Sequence, residues 1–146
     1  MDDTRRVLTL GPDDCRKLLA TARIGRVVFT DRALPAVLPV TYVLDGDCVV
    51  IRTARGSRLE RAADGGLFAF EVDEVDDVAR VGWSVVITGE AELVTDARDR
   101  ERLDAVLQAW VPGIKDVFVR IPMTIVTGRS IVRAPTHRPM GASADV

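Results

Sequence analysis

Apolar and polar residues alternate along much of this chain, a pattern that predicts β-strands. Six segments carry this alternation or an unbroken apolar run: Ile24 to Thr30, Leu34 to Leu44, Cys48 to Thr53, Leu67 to Val72, Ala79 to Val94 and Val117 to Ile131. Asp45-Gly46-Asp47 separates two of them and is a strong hairpin signal, because glycine tolerates the positive φ of a tight turn. The pattern predicts a mainly β (α+β) fold, built as a six-stranded antiparallel barrel.

Apolar residues at spacings of three and four predict two or three peripheral helices. They run from Pro12 to about Ala22, from Ser57 to Ala63 and from Asp96 to about Ala109. The apolar side of the first helix consists of Cys15, Leu18, Leu19 and Ala22, and that of the last of Leu103, Val106, Leu107 and Trp110. Residues 1–10 resemble a short polar arm and residues 134–146 a flexible tail. We therefore expect a single domain over residues 1–133.

Two of the predicted strands have features that bear on function. Pro39 lies inside the second strand, and since proline cannot donate to a ladder, it marks an edge, a bulge or backbone that faces a ligand. The fifth strand is apolar on both faces, with Val81, Trp83, Val85 and Ile87 on one and Gly82, Ser84, Val86 and Thr88 on the other. Such a strand is covered on both sides, which in a chain this small predicts a second subunit.

Composition narrows the classes of function. The 146 residues are 47% hydrophobic and 29% charged, as in one soluble domain, and the net charge of −2 argues against binding to bulk nucleic acid. The sequence contains no run of 18 apolar residues of the kind that spans a membrane. It also shows no signal-peptide pattern, so we expect a cytoplasmic protein. Cys15 and Cys48 are too isolated for a disulfide framework or metal site, and the only histidine, His137, lies in the tail.

Candidate chemistry concentrates in the turn after the third strand. Ser57 and Glu60 have the spacing of a capping box, and four arginines surround them: Arg52, Arg55, Arg58 and Arg61. A hydroxyl, a helix N-terminus and guanidinium groups together can bind a phosphate. Alternatively, Ser57 only caps a helix and the arginines are solvated. The acidic residues between Glu71 and Asp77 lack a calcium-loop pattern and are interpreted as a solvated strand end and turn.

The chain has no nucleophile elbow, Walker loop, zinc spacing or dinucleotide-binding glycine motif. Any enzyme activity would therefore depend on a cofactor. A phosphate site beside an apolar strand pair fits a flat aromatic cofactor with a phosphorylated tail, and FMN is the first candidate. No residue stands out as a general acid or base, and Tyr42 is the one candidate.

Several segments, in order, resemble the pyridoxamine 5′-phosphate oxidase-like family of FMN-binding split barrels, and are similar to its small actinobacterial and nitroimidazole-reductase-type members. The segments are residues 18–26, 38–42, 52–59, 70–73, 82–91, 119–121 and 126–129. The resemblance implies a six-stranded split barrel and a homodimer with two flavins at the subunit interface. It also favours a ligand phosphate at the turn after the third strand.

The resemblance implies these cofactor-binding residues. Leu38, Pro39, Val40 and Thr41 would run along the flavin ring, and Arg52 and Thr53 would lie beside the ribityl chain and phosphate. Ser57 and Arg58 match the phosphate-binding turn, while Trp83 and Ser84 would reach the flavin from the partner subunit. Two departures matter: Leu59 stands where true pyridoxamine phosphate oxidases carry lysine, and their terminal substrate-binding Arg and His are missing. We therefore expect no oxidation of pyridoxamine phosphate.

The sequence thus predicts an FMN-dependent oxidoreductase that takes a hydride from a reduced nicotinamide or another donor and reduces an unidentified small electrophile. Three alternatives remain open at this point. The barrel could bind a deazaflavin or haem, it could bind flavin without catalysis, or it could be a ligand-free interaction module.

Overall fold

One antiparallel sheet organises residues 4–110 and 116–134, the part of the chain that the computed structural model describes. Its nine strands are β1 (Arg5–Thr9), β2 (Ile24–Asp31), β3 (Leu34–Asp45), β4 (Cys48–Thr53), β5 (Leu67–Asp76), β6 (Val81–Glu90), β7 (Glu92–Leu93), β8 (Val117–Pro122) and β9 (Ile125–Arg133). Three helices accompany them: α1 (Pro12–Leu19), α2 (Arg58–Ala63) and α3 (Ala97–Val106). The mainly β class is confirmed.

The sheet curls into a half-barrel. Its strand order is β1-β9-β6-β5-β2-β3-β4-β8-β7, and the pairs are antiparallel. The curl brings β8 back towards β6, where the carbonyl of Pro122 lies against Gly89. Just beyond β7, the N–H of Val94 donates to the carbonyl of Phe118 at 2.9 Å. One face of the sheet therefore encloses a core and the other, which we call the outer face, is left open.

The predicted strand count of six was wrong, since the described residues form nine strands. The polar arm is strand β1, which pairs with β9 from Arg5↔Arg133 to Thr9↔Arg129. The last predicted strand is two strands, because the N–H of Met123 donates to the carbonyl of Asp47 and turns the chain between β8 and β9. The long fifth strand is interrupted at Ala91, whose N–H donates to Gly66 rather than to a neighbouring strand of the ladder.

Alternation in β5 correctly predicted the core. Phe68, Phe70 and Val72 are at most 1% exposed, and they pack with the inward-facing residues of β2, β4 and β6. Phe68 stacks on Phe29 with 5.3 Å between ring centroids, and Phe70 meets Tyr42 edge-on at 4.8 Å. Contacts between aromatic rings at these distances add stability beyond the area they bury.

Helix α1 covers this core with the predicted residues but ends earlier than expected. Cys15 and Leu19 are buried, and Leu18 and Ala22 pack beside them. The helix ends at Leu19 rather than near Ala22, because the carbonyl of Arg23 already accepts a hydrogen bond from Tyr42 of β3. The chain must be extended at that point to enter the sheet.

Helix α3 covers a second, smaller core made of Val50, Val94, Leu103, Leu107 and Phe118. Only half of its predicted apolar stripe is buried. Leu103 and Leu107 are at most 3% exposed, but Val106 is 59% and Trp110 is 72% exposed. The helix ends at Val106, since Leu107 has φ −122° and ψ 95°. Trp110 therefore lies beyond the helix, in a position that helical spacing does not describe.

Some predictions concern residues that the structure does not describe. The helix stop at Pro112-Gly113, the tail from residue 135 onward and His137 belong to this group. Among the described residues, no helix is long and apolar enough to cross a membrane, and both cysteines are free thiols.

Candidate functional site

Strands β3 and β4 separate part-way along their length. Tyr42 to Asp45 pair with β4, whereas residues 34–41 pair with β2 alone. The N–H of Tyr42 donates to Arg23 on the β2 side at 3.2 Å, so by the alternation of an antiparallel ladder the N–H of Thr41 and the carbonyl of Pro39 point away from β2. Pro39 thus marks an unpaired strand edge, the first of the three alternatives that its lack of an N–H left open.

A cavity of about 270 Å³ opens where the two strands separate. Its walls come from the start of β2, the middle of β3, the end of β4 and the segment after α3. The lining residues are Ile24, Pro39, Val40, Thr41, Arg52, Ala109 and Trp110. We call this cavity the β3–β4 cleft. Four of the ten residues predicted to bind a cofactor line this cleft: Pro39, Val40, Thr41 and Arg52. Trp110 also lines it, although its spacing predicted a place on the apolar side of a helix. The nearby Pro112-Gly113 was the one local signal that the helix ends before this residue.

Arg52 forms one wall of the cleft, and its guanidinium is held in place. It donates to the carbonyl of Leu107, lies 3.1 Å from a carboxylate oxygen of Asp104, and stacks 4.6 Å above the ring of Phe118. The side chain is only 12% exposed. Arg52 therefore joins the end of β4 to the segment that follows α3.

The turn between β4 and α2 brings two hydroxyls together. The Oγ1 of Thr53 and the Oγ of Ser57 are 2.9 Å apart, and the Ser57 oxygen also accepts from the N–H of Glu60 at 3.1 Å. The predicted helix cap is therefore present. The Glu60 carboxylate accepts from Gly56 rather than from Ser57, and Gly56 has φ +81°, a conformation that glycine adopts without strain.

Acidic side chains face the arginines of this turn. Arg58 lies 3.8 Å and Arg61 4.0 Å from the carboxylate of Asp31, whose side chain is 15% exposed. Arg55 contacts Asp116 at 3.0 Å, and this contact holds the pKa of the Asp116 carboxyl below its usual range. The four arginines thus differ: the Arg52 side chain is 12% exposed and held in a structural contact, whereas those of Arg55, Arg58 and Arg61 are about half exposed or more.

The remaining predicted residues lie elsewhere. Leu38 packs against the barrel core. Trp83 and Ser84 are on β6, three strands from β3 in the sheet order, and line cavities of about 370 and 530 Å³ near the β5–β6 hairpin, of which Ser84 lines only the smaller. Three strand spacings amount to roughly 14 Å along the sheet. Within one chain, therefore, Trp83 and Ser84 are not part of the β3–β4 cleft.

The family model for pyridoxamine 5′-phosphate oxidase matches residues 11–130. This match covers the cleft, the turn and β6. The chain belongs to the pyridoxamine 5′-phosphate oxidase family. A relative in Mycobacterium tuberculosis, the uncharacterized protein Rv0080, is 41% identical over an alignment of 133 positions that covers 88% of each chain.

Solved structures agree with this family assignment. The FAD binding protein from Mycobacterium smegmatis is 30% identical, with a TM-score of 0.66 over 86% of this chain and 98% of that one. An FAD-binding protein from Mesorhizobium loti is 26% identical, with a TM-score of 0.72 over 89% and 100% of the two chains. Nearly the whole length of each of these two solved chains therefore matches the curled sheet of this family member.

Tyr42, the candidate acid or base, is not placed for that role in this family member. Its ring is 5% exposed, and its hydroxyl donates to the carbonyl of Leu19. Burial raises the pKa of Tyr42 to about 12. The hydroxyl therefore tethers α1 to the barrel and does not reach the cleft.

Part of the predicted solvated acidic stretch lies inside β5. Glu71 and Asp73 share the outer face with Arg26 of β2, which is 3.5 Å from Glu71 and 3.8 Å from Asp73. Burial, together with a hydrogen bond and repulsion from Asp73, raises the pKa of Glu71 to about 7, against the opposing effect of Arg26. Only the end of the stretch, from Glu74 onward, is exposed as expected. The described residues contain no group of three or more potential metal ligands.

Proposed function

We propose that this family member is a flavin-dependent oxidoreductase whose ring site is the β3–β4 cleft. The observation that carries the proposal is the free edge of β3, where an N–H of Thr41 and a carbonyl of Pro39 face a cavity with apolar walls. A planar heteroaromatic ring with donors and acceptors along one edge suits such a strand, because it can bond to the backbone while its faces touch apolar side chains. The FAD-binding proteins from M. smegmatis and M. loti support a flavin.

The phosphate of FMN would bind at the turn after β4. Two hydroxyls 2.9 Å apart and a half-exposed guanidinium, those of Thr53, Ser57 and Arg58, supply donors suited to phosphate oxygens. Leu59, which replaces a lysine of the true oxidases, is 2% exposed and packs in the core. The phosphate would thus be held with one cation fewer. FAD is the second candidate, because both structural neighbours named above bind it.

A second copy of the chain would complete the site. The cleft is slightly smaller than the 300–1,000 Å³ usual for pockets of drug-sized ligands. The outer face also carries seven exposed apolar residues: Val7, Ile24, Val37, Leu67, Val75, Ile125 and Ile131. Exposed apolar side chains on one face of a sheet are typical of a surface that a protein partner covers. A homodimer packed on this face would bring β6 of one subunit towards the cleft of the other, with Ser84 on the outer face and Trp83 on the core side of the strand.

When bound, the flavin would supply hydride transfer between a reduced nicotinamide or another donor and a small electrophile. The chain itself would hold the ring against β3, fix the phosphate and exclude water from one face. Oxidation of pyridoxamine phosphate is not proposed, because the chain lacks the terminal substrate-binding Arg and His of the true oxidases.

The first test is the visible spectrum of the purified protein, before and after incubation with FMN and gel filtration. We expect yellow protein with a flavin spectrum and up to one flavin for each chain. Parallel titrations with FAD, a deazaflavin and haemin rank the alternatives. Protein that is colourless and takes up neither FMN nor FAD would refute the proposal, and flavin that stays oxidised with NADH and NADPH would favour a non-catalytic binder.

The dimer is tested by a matched pair of surface substitutions. Val37→Asp places a charge on the outer face, and Val106→Asp places one on α3, where the original side chains are 58% and 59% exposed. We expect Val37→Asp to sediment as a monomer and to lose at least tenfold in FMN affinity, because an unpaired charge in an interface is costly. Val106→Asp should remain a dimer with wild-type affinity. Equal behaviour of the two variants in analytical ultracentrifugation would count against an interface on this face.

A further inference from the structure

Trp110 combines two properties that a core residue does not have. It lines the β3–β4 cleft together with Pro39 and Thr41, yet its side chain is 72% exposed. Large aromatic side chains usually bury most of their surface, and an exposed one at the wall of a cavity is typical of a ligand contact. Among the described residues, Trp110 is also the one aromatic side chain that lines this cleft.

The position of Trp110 depends on Arg52. Leu107, whose carbonyl accepts from the Arg52 guanidinium, lies three residues before Trp110 and is itself buried. Asp104, one turn earlier in α3, contacts the same guanidinium at 3.1 Å. Arg52 therefore fixes the direction in which the chain leaves α3, and this direction brings Ala109 and Trp110 to the cleft.

We infer that Trp110 is the aromatic wall on which a planar ligand ring stacks, and that Arg52 is the residue that positions this wall. The inference rests on the proposed flavin site and adds to it a ring contact that family resemblance does not supply. It also assigns Arg52 a different task from the predicted one beside the ribityl chain and phosphate. The guanidinium is occupied by a carbonyl, a carboxylate and a ring, so we assign it the positioning of Trp110, although Arg52 also lines the cleft.

Stacking on Trp110 is tested by measuring the affinity of each variant for FMN and for riboflavin, which lacks the phosphate. We expect Trp110→Ala to weaken both ligands by roughly three- to tenfold, the loss of one aromatic stacking contact. Trp110→Phe keeps a ring and should remain within about twofold of wild type. In a Trp83→Phe background Trp110 is the single tryptophan, and its emission should fall strongly at saturating riboflavin. Wild-type affinity in Trp110→Ala together with unchanged Trp110 emission would overturn the inference.

Arg52→Lys tests the positioning role, since lysine keeps the charge but cannot hold a carbonyl, a carboxylate and a ring face in the same geometry. We expect the affinities for FMN and riboflavin to fall equally, by roughly three- to tenfold. Adding the change to Trp110→Ala should cause no further loss of affinity. A loss confined to FMN would identify Arg52 as a phosphate ligand and overturn its positioning role, and unchanged affinity for both would do the same.

These outcomes separate the inference from the proposed function. If wild-type protein binds flavin tightly and Trp110→Ala binds it equally well, only the inference fails. If wild-type protein binds neither FMN nor riboflavin, the flavin site itself is wrong and the inference fails with it. Thermal unfolding of each variant serves as the check on folding, and a surface change at Trp110 is expected to leave it within a few degrees of wild type.

Discussion

Ser57→Asp should abolish FMN binding while leaving the fold intact. The Ser57 oxygen has two roles in the proposed site: it caps α2 through the N–H of Glu60, and it lies 2.9 Å from the Thr53 hydroxyl at the phosphate position. Aspartate caps a helix as well as serine does, and its charge favours a helix N-terminus. Against a phosphate, however, the same carboxylate is repulsive.

The expected loss of FMN affinity in Ser57→Asp follows from that repulsion. Like charges placed together in a binding site cost several kcal/mol, and each 1.4 kcal/mol is a factor of ten, so FMN affinity should fall by at least about 100-fold. Riboflavin has no phosphate, and its affinity should stay within roughly twofold. The change in the free energy of unfolding should stay within about 0.5 kcal/mol, in contrast to Ser57→Ala, which loses the cap and about 1 kcal/mol.

Isothermal titration with both ligands and urea unfolding of both variants complete this test. Arg16→Ala is a suitable control, because Arg16 is paired with Asp47 at the β3–β4 hairpin and takes no part in the proposed site. Undiminished FMN binding by Ser57→Asp would show that the phosphate lies elsewhere. Equal loss of riboflavin would show that the change acts on the ring site or the fold.

Phe70→Ala should destabilise the folded barrel more than any of the surface substitutions proposed above. The ring is fully buried, meets Tyr42 edge-on at 4.8 Å and fills the space above Gly25, where an added Cβ would lie only 2.3 Å from its Cζ. Removing it therefore leaves a cavity between β2, β3 and β5 that rigid strands cannot close. Such truncations cost about 3–5 kcal/mol.

For a chain of this size that loss corresponds to a melting temperature lower by roughly 6–20 °C. Calorimetry and urea unfolding measure it. Phe70→Leu should lose less than half as much, because it retains most of the buried apolar volume. Val78→Ala, at a position that is 89% exposed, should stay within about 0.5 kcal/mol of wild type. A small loss in Phe70→Ala would mean that this part of the core is looser than the packing indicates.

Features that depend on neighbours in the chain could be predicted from the sequence. The alternation of Phe68, Phe70 and Val72, the hairpin at Gly46 and the cap of Ser57 on Glu60 all appear where their residues predict. Each is set by periodicity or by backbone preference within a few residues. The mainly β class follows from the same local information.

Features that depend on contacts with distant parts of the chain could not be predicted in this way. Residues 5–9 alternate poorly and form a strand by pairing with the edge of β9, whose paired residues, from Arg133 to Arg129, come 120 or more positions later in the sequence. The charge of Arg52 is visible in the sequence, but its partners are Asp104 of α3, Leu107 just after that helix and Phe118 of β8. Trp110 has helical spacing, and only the early end of α3 turns it towards the cleft.

The sequence by itself therefore determined the mainly β class, the alternation in β5, the hairpin, the helix cap and the family to which the chain belongs. The tertiary structure decided how many strands the sheet contains, which arginine is held in the wall of the cleft, and which aromatic residue lines the cleft. The physical reason is that hydrophobic periodicity records only whether a residue faces a core. The residues that contact a largely buried charge such as Arg52, and the cavity that an exposed ring such as Trp110 lines, depend on how distant strands and helices pack together.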